Sequence, residues 1–321
     1  MSGASVEETK GNSPVSVSTM PAERRRQTIW QGVRRNLILY LILTPSILGT
    51  ALFQYYPAVI ALYRSFYSWN GFASYFVGLR NFAFFLKDPH LKLAWLNVAK
   101  LMGFQVVIIL TMPLLCAYAI FRLKHERLRY FYRLLFVIPM IIPGVVITIL
   151  WRWLLGLYGG INIILESIGL ESWTRDWLGD PRTALYALMF VGFPWVGGVA
   201  MLIYLSGFMA IPGETLDAAE VDGATGVKRL WWVELPMIQG QIKLQVMLTC
   251  IGAIQQFQQQ LIMTNGGPGW ATMVPGLVMF RAATADFSFG YACSIGMVLF
   301  VVIFLLTLIN QRYIRGSQML Q

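Results

Sequence analysis

Six long runs almost free of charge dominate this chain, at about residues 36 to 60, 97 to 121, 131 to 154, 183 to 209, 242 to 263 and 287 to 311. A helix rises about 1.5 Å per residue, so each run is long enough to cross the ~30 Å hydrocarbon core of a bilayer. In lipid, backbone polar groups must find their partners within a helix or a closed barrel. None of the runs alternates apolar and polar residues as a barrel strand does, and each is therefore expected to be a helix. The expected fold class is an all-α membrane protein with six transmembrane helices.

Composition agrees. Of 321 residues, 57% are hydrophobic and 12% charged, and the mean hydropathy is +0.60, beyond what the core of a soluble domain needs. Cys116, Cys250 and Cys293 each sit inside an apolar run without metal-ligand or redox spacing, and read as packing residues.

The formal charge of +10 raises the question of nucleic acid, and the placement of the cations answers it. The basic residues cluster by loop, and the polar segments are too short to fold as a nucleic-acid module, so no nucleic-acid partner is expected. One side of the span map holds sixteen Lys and Arg and the other eight, with Lys100 inside a span. The positive-inside rule then makes both termini cytoplasmic. Trp69, Trp95, Trp151, Trp153, Trp173 and Trp177 fall near the opposite ends, at headgroup depth. Residues 1 to 35, polar and ending in Arg34 and Arg35, read as a disordered cytoplasmic tail rather than a cleaved signal. Segment 156 to 181 reads as a short helix on the outer surface.

The loop between the fourth and fifth spans runs IPGETLDAAEVDGATGVKRLWWVELPMIQG from Ile211 to Gly240. Pro212 and Gly213 end the preceding span, Thr215 is placed to cap a new helix, and Gly223 and Gly226 permit a bend before a second helix leading to Pro236. In composition and spacing the loop resembles the EAA motif of ABC importer permeases. Asp217-Ala218-Ala219 stands where that family has Glu-Ala-Ala, Gly223 follows after three residues, and Val233-Glu234-Leu235-Pro236 closes the motif at the family spacing. Val77 to Phe82 with Asp88, Pro89 and Asn97, and Thr264-Asn265-Gly266-Gly267-Pro268 with Thr272 and Phe287, are similar to stretches of the sugar-importer branch related to the maltose transporter.

The resemblance implies a cytoplasmic coupling-helix loop, with Asp217, Ala218, Ala219, Glu220, Asp222, Gly223, Ala224, Leu235 and Pro236 as its contact residues for the ATPase. Ala218 and Ala219 together are expected to present a small-residue face. It divides the chain into the tail (1–35), a first helix with an outer segment (36–90) and a permease domain (91–315). It also implies its partners: a second permease subunit, a dimeric cytoplasmic ABC ATPase and an extracytoplasmic solute-binding protein, besides membrane lipid. No cofactor is expected in this chain, since nothing resembles a Walker loop and ATP is bound by the ATPase. Nor is an enzyme expected: the histidines, His90 and His125, are read as loop residues, and no catalytic carboxylate pair appears.

Span five carries Gln255, Gln256, Gln258, Gln259 and Gln260 at membrane depth, where polar groups are costly. Gln255, Gln256 and Gln259 are candidates for the solute pathway, since amides suit a polyhydroxylated solute. In a continuous helix Gln255 and Gln259 share one face and Gln256 and Gln260 the next. The same residues are equally suited to hydrogen bonding with a second permease. The implied function is uptake of a sugar or oligosaccharide by alternating access. The alternatives are a permease for glycerol phosphate or another polar solute, and an ion-coupled secondary transporter. The last predicts intramembrane acids and inverted repeats, neither of which is evident.

Overall fold

The computed structural model describes residues 36 to 318, with side chains to Arg312. The expected tail, residues 1 to 35, lies outside the described residues. By contact the chain divides into two compact units, Met1–Ile60 and Ala61–Gln321.

Helix α1 runs over Leu37–Arg64 and contains a π turn at Ala51–Tyr55. Pro57 follows two residues later. A proline inside a helix lacks the N–H of the ladder and crowds the carbonyl four residues back, and a widened turn relieves both.

After the end of α1 comes a hairpin of the second unit, β1 (Tyr67–Trp69) and β2 (Ser74–Phe76), antiparallel with Tyr67 opposite Phe76. Its turn is closed by the Asn70 side chain, whose Oδ1 accepts from the backbone N–H groups of Phe72 and Ala73 at 3.1 and 2.8 Å. Helix α2 (Arg80–Lys87) follows, then α3 (Pro89–Ile109), capped by Asp88 with Pro89 in its first turn. His90 accordingly lies in a helix, not in a loop. Helix α4 (Met112–Phe121) continues the same apolar segment after a break at Leu110 and Thr111, just ahead of Pro113.

Beyond the break in span two, where the backbone stays in the helical region, three of the expected spans are interrupted by extended backbone. Where 131 to 154 was expected, α5 (Glu126–Val137) and a 3₁₀ turn lead to α6 (Gly144–Leu154), and the two arms meet at 86°. Ile142 before Pro143 is extended, with ψ 125, as the proline ring requires of its predecessor. After α7 (Gly160–Ser167), the short helix expected within 156 to 181, span four is split into α8 (Ala184–Phe190) and α9 (Gly198–Met209). Pro194 lies in the gap, and Gly192 and Gly197 take left-handed φ of 85 and 56, a region open to glycine without steric cost.

Helix α10 (Gly213–Val221) and α11 (Gly226–Met237) form the following loop. Span five divides into α12 (Gln239–Gln255) and α13 (Gln258–Met263). No proline marks that break. Gln256 is extended, and the Phe257 ring is held against Phe280 at 5.4 Å. Gly276 leaves the space: a Cβ there would come within 3.2 Å of Phe257. Tertiary packing thus overrides helix continuity. Helix α14 (Pro275–Thr284) and the long α15 (Phe289–Gln318) complete the chain.

Leu91, Ala94, Val98 and Leu101 of α3 pack with Ile254, Leu277, Ile295 and Leu299 in one buried cluster. In a second, Ala117 and Ile120 of α4 meet Met201, Tyr204, Leu205 and Phe208 of α9, with Ile238. The three- and four-residue spacing is that of one helical face. Between α13 and α14 the chain turns back on itself. The hydroxyls of Thr264 and Thr272 are 2.6 Å apart, Thr272 donates to the Gly267 carbonyl at 2.8 Å, and buried Asn97 donates from α3 to the Met273 carbonyl at 2.9 Å.

Candidate functional site

Two features built from sequence-predicted residues stand out, a loop at one end of the bundle and a cavity within it. In the loop, α10 starts directly after Pro212, whose extended ψ of 137 leads the chain into the helix without a side-chain cap. Thr215 sits inside the first turn and does not cap it. Gly223 has φ +74 and Gly226 φ +55, with nothing within 4 Å of a Cβ at either. Backbone conformation alone therefore calls for glycine there. In α11, the π turn Leu230–Glu234 precedes Pro236 by two residues, repeating the relation of Ala51–Tyr55 to Pro57 in α1.

The bend is clasped by Arg229. Its Nε donates to Glu234 Oε1 at 3.0 Å, and its Nη1 lies 3.6 Å from Glu220 Oε2 across the turn in α10. Glu234 has 0% of its surface exposed, and its second oxygen has no hydrogen-bond partner among the described residues. Burial pushes its carboxyl above the usual carboxylate range, against the pull of the Arg122 charge.

Asp217, Ala218, Glu220, Asp222, Gly223 and Pro236 are exposed, and Ala224 and Leu235 are half-buried. Ala219 is buried within the chain, so only Ala218 of the alanine pair faces outward. Trp231 and Trp232 are 66% and 77% exposed. Together with Val221 and Val227 they make the outer face of the bend more apolar than the motif alone suggested. Arg229 and the tryptophans were not singled out in the sequence, and Glu234 entered only as a member of the closing motif. The available signal was an Arg and a Glu five residues apart in the second half of the loop.

The cavity has a volume of about 510 Å³ and lies between α3, α4, α12, α13 and the broken fourth span. Its polar wall is a chain of amides. Gln105 Nε2 donates to Gln256 Oε1 at 3.2 Å, Gln256 Nε2 to Gln259 Oε1 at 2.9 Å, and Gln259 Nε2 to the Leu188 carbonyl at 2.7 Å. Trp195 closes another side; its indole donates to the Met189 carbonyl at 3.1 Å, and Phe104 meets its ring edge-on at 5.6 Å. No charged residue lines the cavity. Such a wall offers hydrogen bonds in both senses and a flat apolar surface, and it has no charge to select an ion.

Of the three candidate glutamines, Gln256 and Gln259 line this cavity, while Gln255 is exposed and does not. The break at Gln256 overturns the pairing of faces expected of a continuous helix, bringing Gln256 and Gln259 together. Gln105 was missed in the sequence, although an amide well inside the second span is itself a signal. Arg152 donates to the Ile262 carbonyl at the end of α13 at 2.9 Å.

Residues 109–315 match the model of the family described as binding-protein-dependent transport system inner membrane component. The chain is 29% identical to a probable ABC transporter permease protein, YurN, of Bacillus subtilis, over 89% of this chain and 98% of that one. It is also 29% identical to the diacetylchitobiose uptake system permease protein NgcF of Streptomyces coelicolor, over 78% and 74%. The fold is similar to a crystal structure of a bacterial ABC transporter involved in import of the acidic polysaccharide alginate, with a TM-score of 0.77 at 20% identity over 89% of this chain and 99% of that chain. Because the family match covers more than half of the chain, taking in the broken fourth span, the 212–236 loop and Gln256 and Gln259 of the cavity, the chain belongs to the binding-protein-dependent transport system inner membrane component family, the membrane permeases of ABC transporters.

Proposed function

We propose that this permease moves a neutral sugar or oligosaccharide across the cytoplasmic membrane, with both termini on the cytoplasmic side and six spans, three of them interrupted by extended backbone. The observation that carries the substrate class is the wall of Gln105, Gln256 and Gln259 beside Trp195 with no charge in the cavity. Sugar hydroxyls both donate and accept, as the amide chain does, and the C–H faces of a pyranose suit an indole. A permease for glycerol phosphate calls for a cation in the same place. The diacetylchitobiose relative supports the reading.

In this reading the 212–236 loop is the coupling element. A dimeric ATPase grips its exposed face, Asp217 with Glu220 and Asp222 meeting basic groups and Trp231 and Trp232 filling apolar ground. ATP is held entirely by that partner. A second permease completes the pathway, and a solute-binding protein delivers the solute. Closure of the ATPase tilts α9 and α12 through the loop, alternating the access of the cavity. The coupling contacts assigned here are Asp217, Ala218, Glu220, Asp222, Gly223, Ala224, Leu235 and Pro236, with Ala219 supporting them from within. The proposed domain division is 36–90 for the first helix and outer segment and 91–315 for the permease domain.

The test is reconstitution with the neighbouring ATPase and binding protein in proteoliposomes. Asp217→Lys is expected to abolish ATP-dependent uptake while leaving membrane insertion intact. Uptake at the unmodified rate, or uptake that persists without the ATPase, refutes the coupling role.

A further inference from the structure

A second cavity, of about 490 Å³, lies between the β1–β2 hairpin, α2 and the first turn of α15. Its polar lining is Ser68, Asn70, Arg80, Asn81, Ser288 and Tyr291, and no Asp or Glu is among the lining residues. The Tyr291 hydroxyl is buried with no hydrogen-bond partner among the described residues. The walls are held firmly. Asn81 Nδ2 donates to the carbonyls of Ser65 and Tyr67 at 2.9 and 3.0 Å, and the Trp69 and Phe289 rings lie 5.2 Å apart. At Gly290 a Cβ would overlap the Tyr67 carbonyl, so glycine lets the hairpin seat directly on α15.

That seat is the end of an apolar helix long enough to cross a bilayer, which puts the cavity at the depth where a span meets the headgroups. Residues 61 to 87 carry Arg64, Arg80 and Lys87 and not one Asp or Glu. Arg64 is engaged internally, donating to Ser74 at 2.8 Å and lying over the Trp69 ring at 4.7 Å. Arg80 has no salt bridge among the described residues. Phe72, Tyr75, Phe76, Phe84 and Leu86 are all exposed in the same segment. Exposed aromatics beside unpaired cations, at the end of a span, form the pattern of an element lying in the membrane interface.

We propose that this cavity holds the phosphate of a membrane phospholipid, paired with Arg80 and hydrogen-bonded by Ser68, Asn70 and Ser288, while the exposed aromatic side chains rest among the acyl chains. Arg80 favours this occupant over a neutral sugar, which leaves the guanidinium uncompensated. A guanidinium matches phosphate in geometry as well as charge.

The experiment is native mass spectrometry of the complete transporter purified from membranes and exposed to vesicles containing phosphatidylglycerol. The unmodified protein is expected to retain the phospholipid, and Arg80→Glu to retain at least about fivefold less, with Arg80→Lys between them and Arg182→Glu unchanged. Ser288→Leu, which fills the cavity without altering charge, is expected to reduce retention in the same sense and serves if Arg80→Glu does not fold. Retention equal to the unmodified protein in both Arg80→Glu and Ser288→Leu overturns the proposal. Displacement of the lipid by inorganic phosphate or by a soluble neutral oligosaccharide overturns it too, as does cross-linking that finds Phe84 covered by another subunit. Lipid retention is read without solute uptake, so it stands or falls separately from the transport reading.

Discussion

Arg229 and Glu234 are joined at 3.0 Å inside the bend of the 212–236 loop, and the Glu234 side chain is wholly buried. The pair lies five residues apart on one arm, and the same guanidinium reaches Glu220 on the other. Removing one member of a buried pair leaves the other charge uncompensated, at a cost of about 3–5 kcal/mol. Arg229→Ala is therefore expected to loosen the angle between α10 and α11 and to uncouple ATP hydrolysis from uptake. Arg229→Lys should recover part of the coupling. Measuring solute-stimulated ATPase activity and uptake in parallel checks this, and tight coupling in Arg229→Ala would rule out the clasp.

At Gly223 the constraint is the backbone alone, since φ is +74 and a Cβ meets nothing. Gly223→Ala is expected to cost about 1 kcal/mol locally and to reduce coupled uptake severalfold. Gly223→Asn, which tolerates the left-handed region better, should retain more. Equal effects of the two substitutions on uptake rate contradict a conformational role.

The amide chain of the cavity predicts a graded series. A hydrogen bond is worth about 0.5–1.5 kcal/mol net, so Gln256→Leu is expected to raise the KM of uptake by roughly two- to tenfold. Gln105→Leu should act alike, since it deletes the first link. Gln255→Leu, outside the lining, should leave KM unchanged. Uptake kinetics in proteoliposomes decide this, and a Gln255 effect equal to that of Gln256 would relocate the pathway.

Asn97 is buried and joins α3 to the chain beyond α13 through the Met273 carbonyl at 2.9 Å. Asn97→Ala leaves that carbonyl without its donor in the interior, a loss of about 1–3 kcal/mol. The expected result is a lower melting temperature of the purified transporter in detergent, with the KM for solute little changed. A melting temperature equal to that of the unmodified protein would show that the contact contributes nothing.

The helical class, the positions of the apolar runs and the loop near Asp217 are all legible in the sequence, because a bilayer imposes length and apolarity on every span and a glycine at φ +74 leaves a spacing signature. Pro143 and Pro194 are visible breakers in spans three and four, but the 86° between the arms of span three is set by the folded chain and not by the proline alone. The break at Gln256 had no such mark; it follows from Phe257 packing into the space beside Gly276. Periodicity assigned Gln256 to the wrong face for that reason, and Gln105, 151 residues away along the chain, became its partner only through the approach of α3. The burial of Glu234 beneath Arg229, the inward turn of Ala219 and the seating of the hairpin on Gly290 are likewise products of tertiary structure. Local composition sets which segments enter the membrane, whereas contacts between residues distant in sequence decide where those segments break and which polar groups then meet.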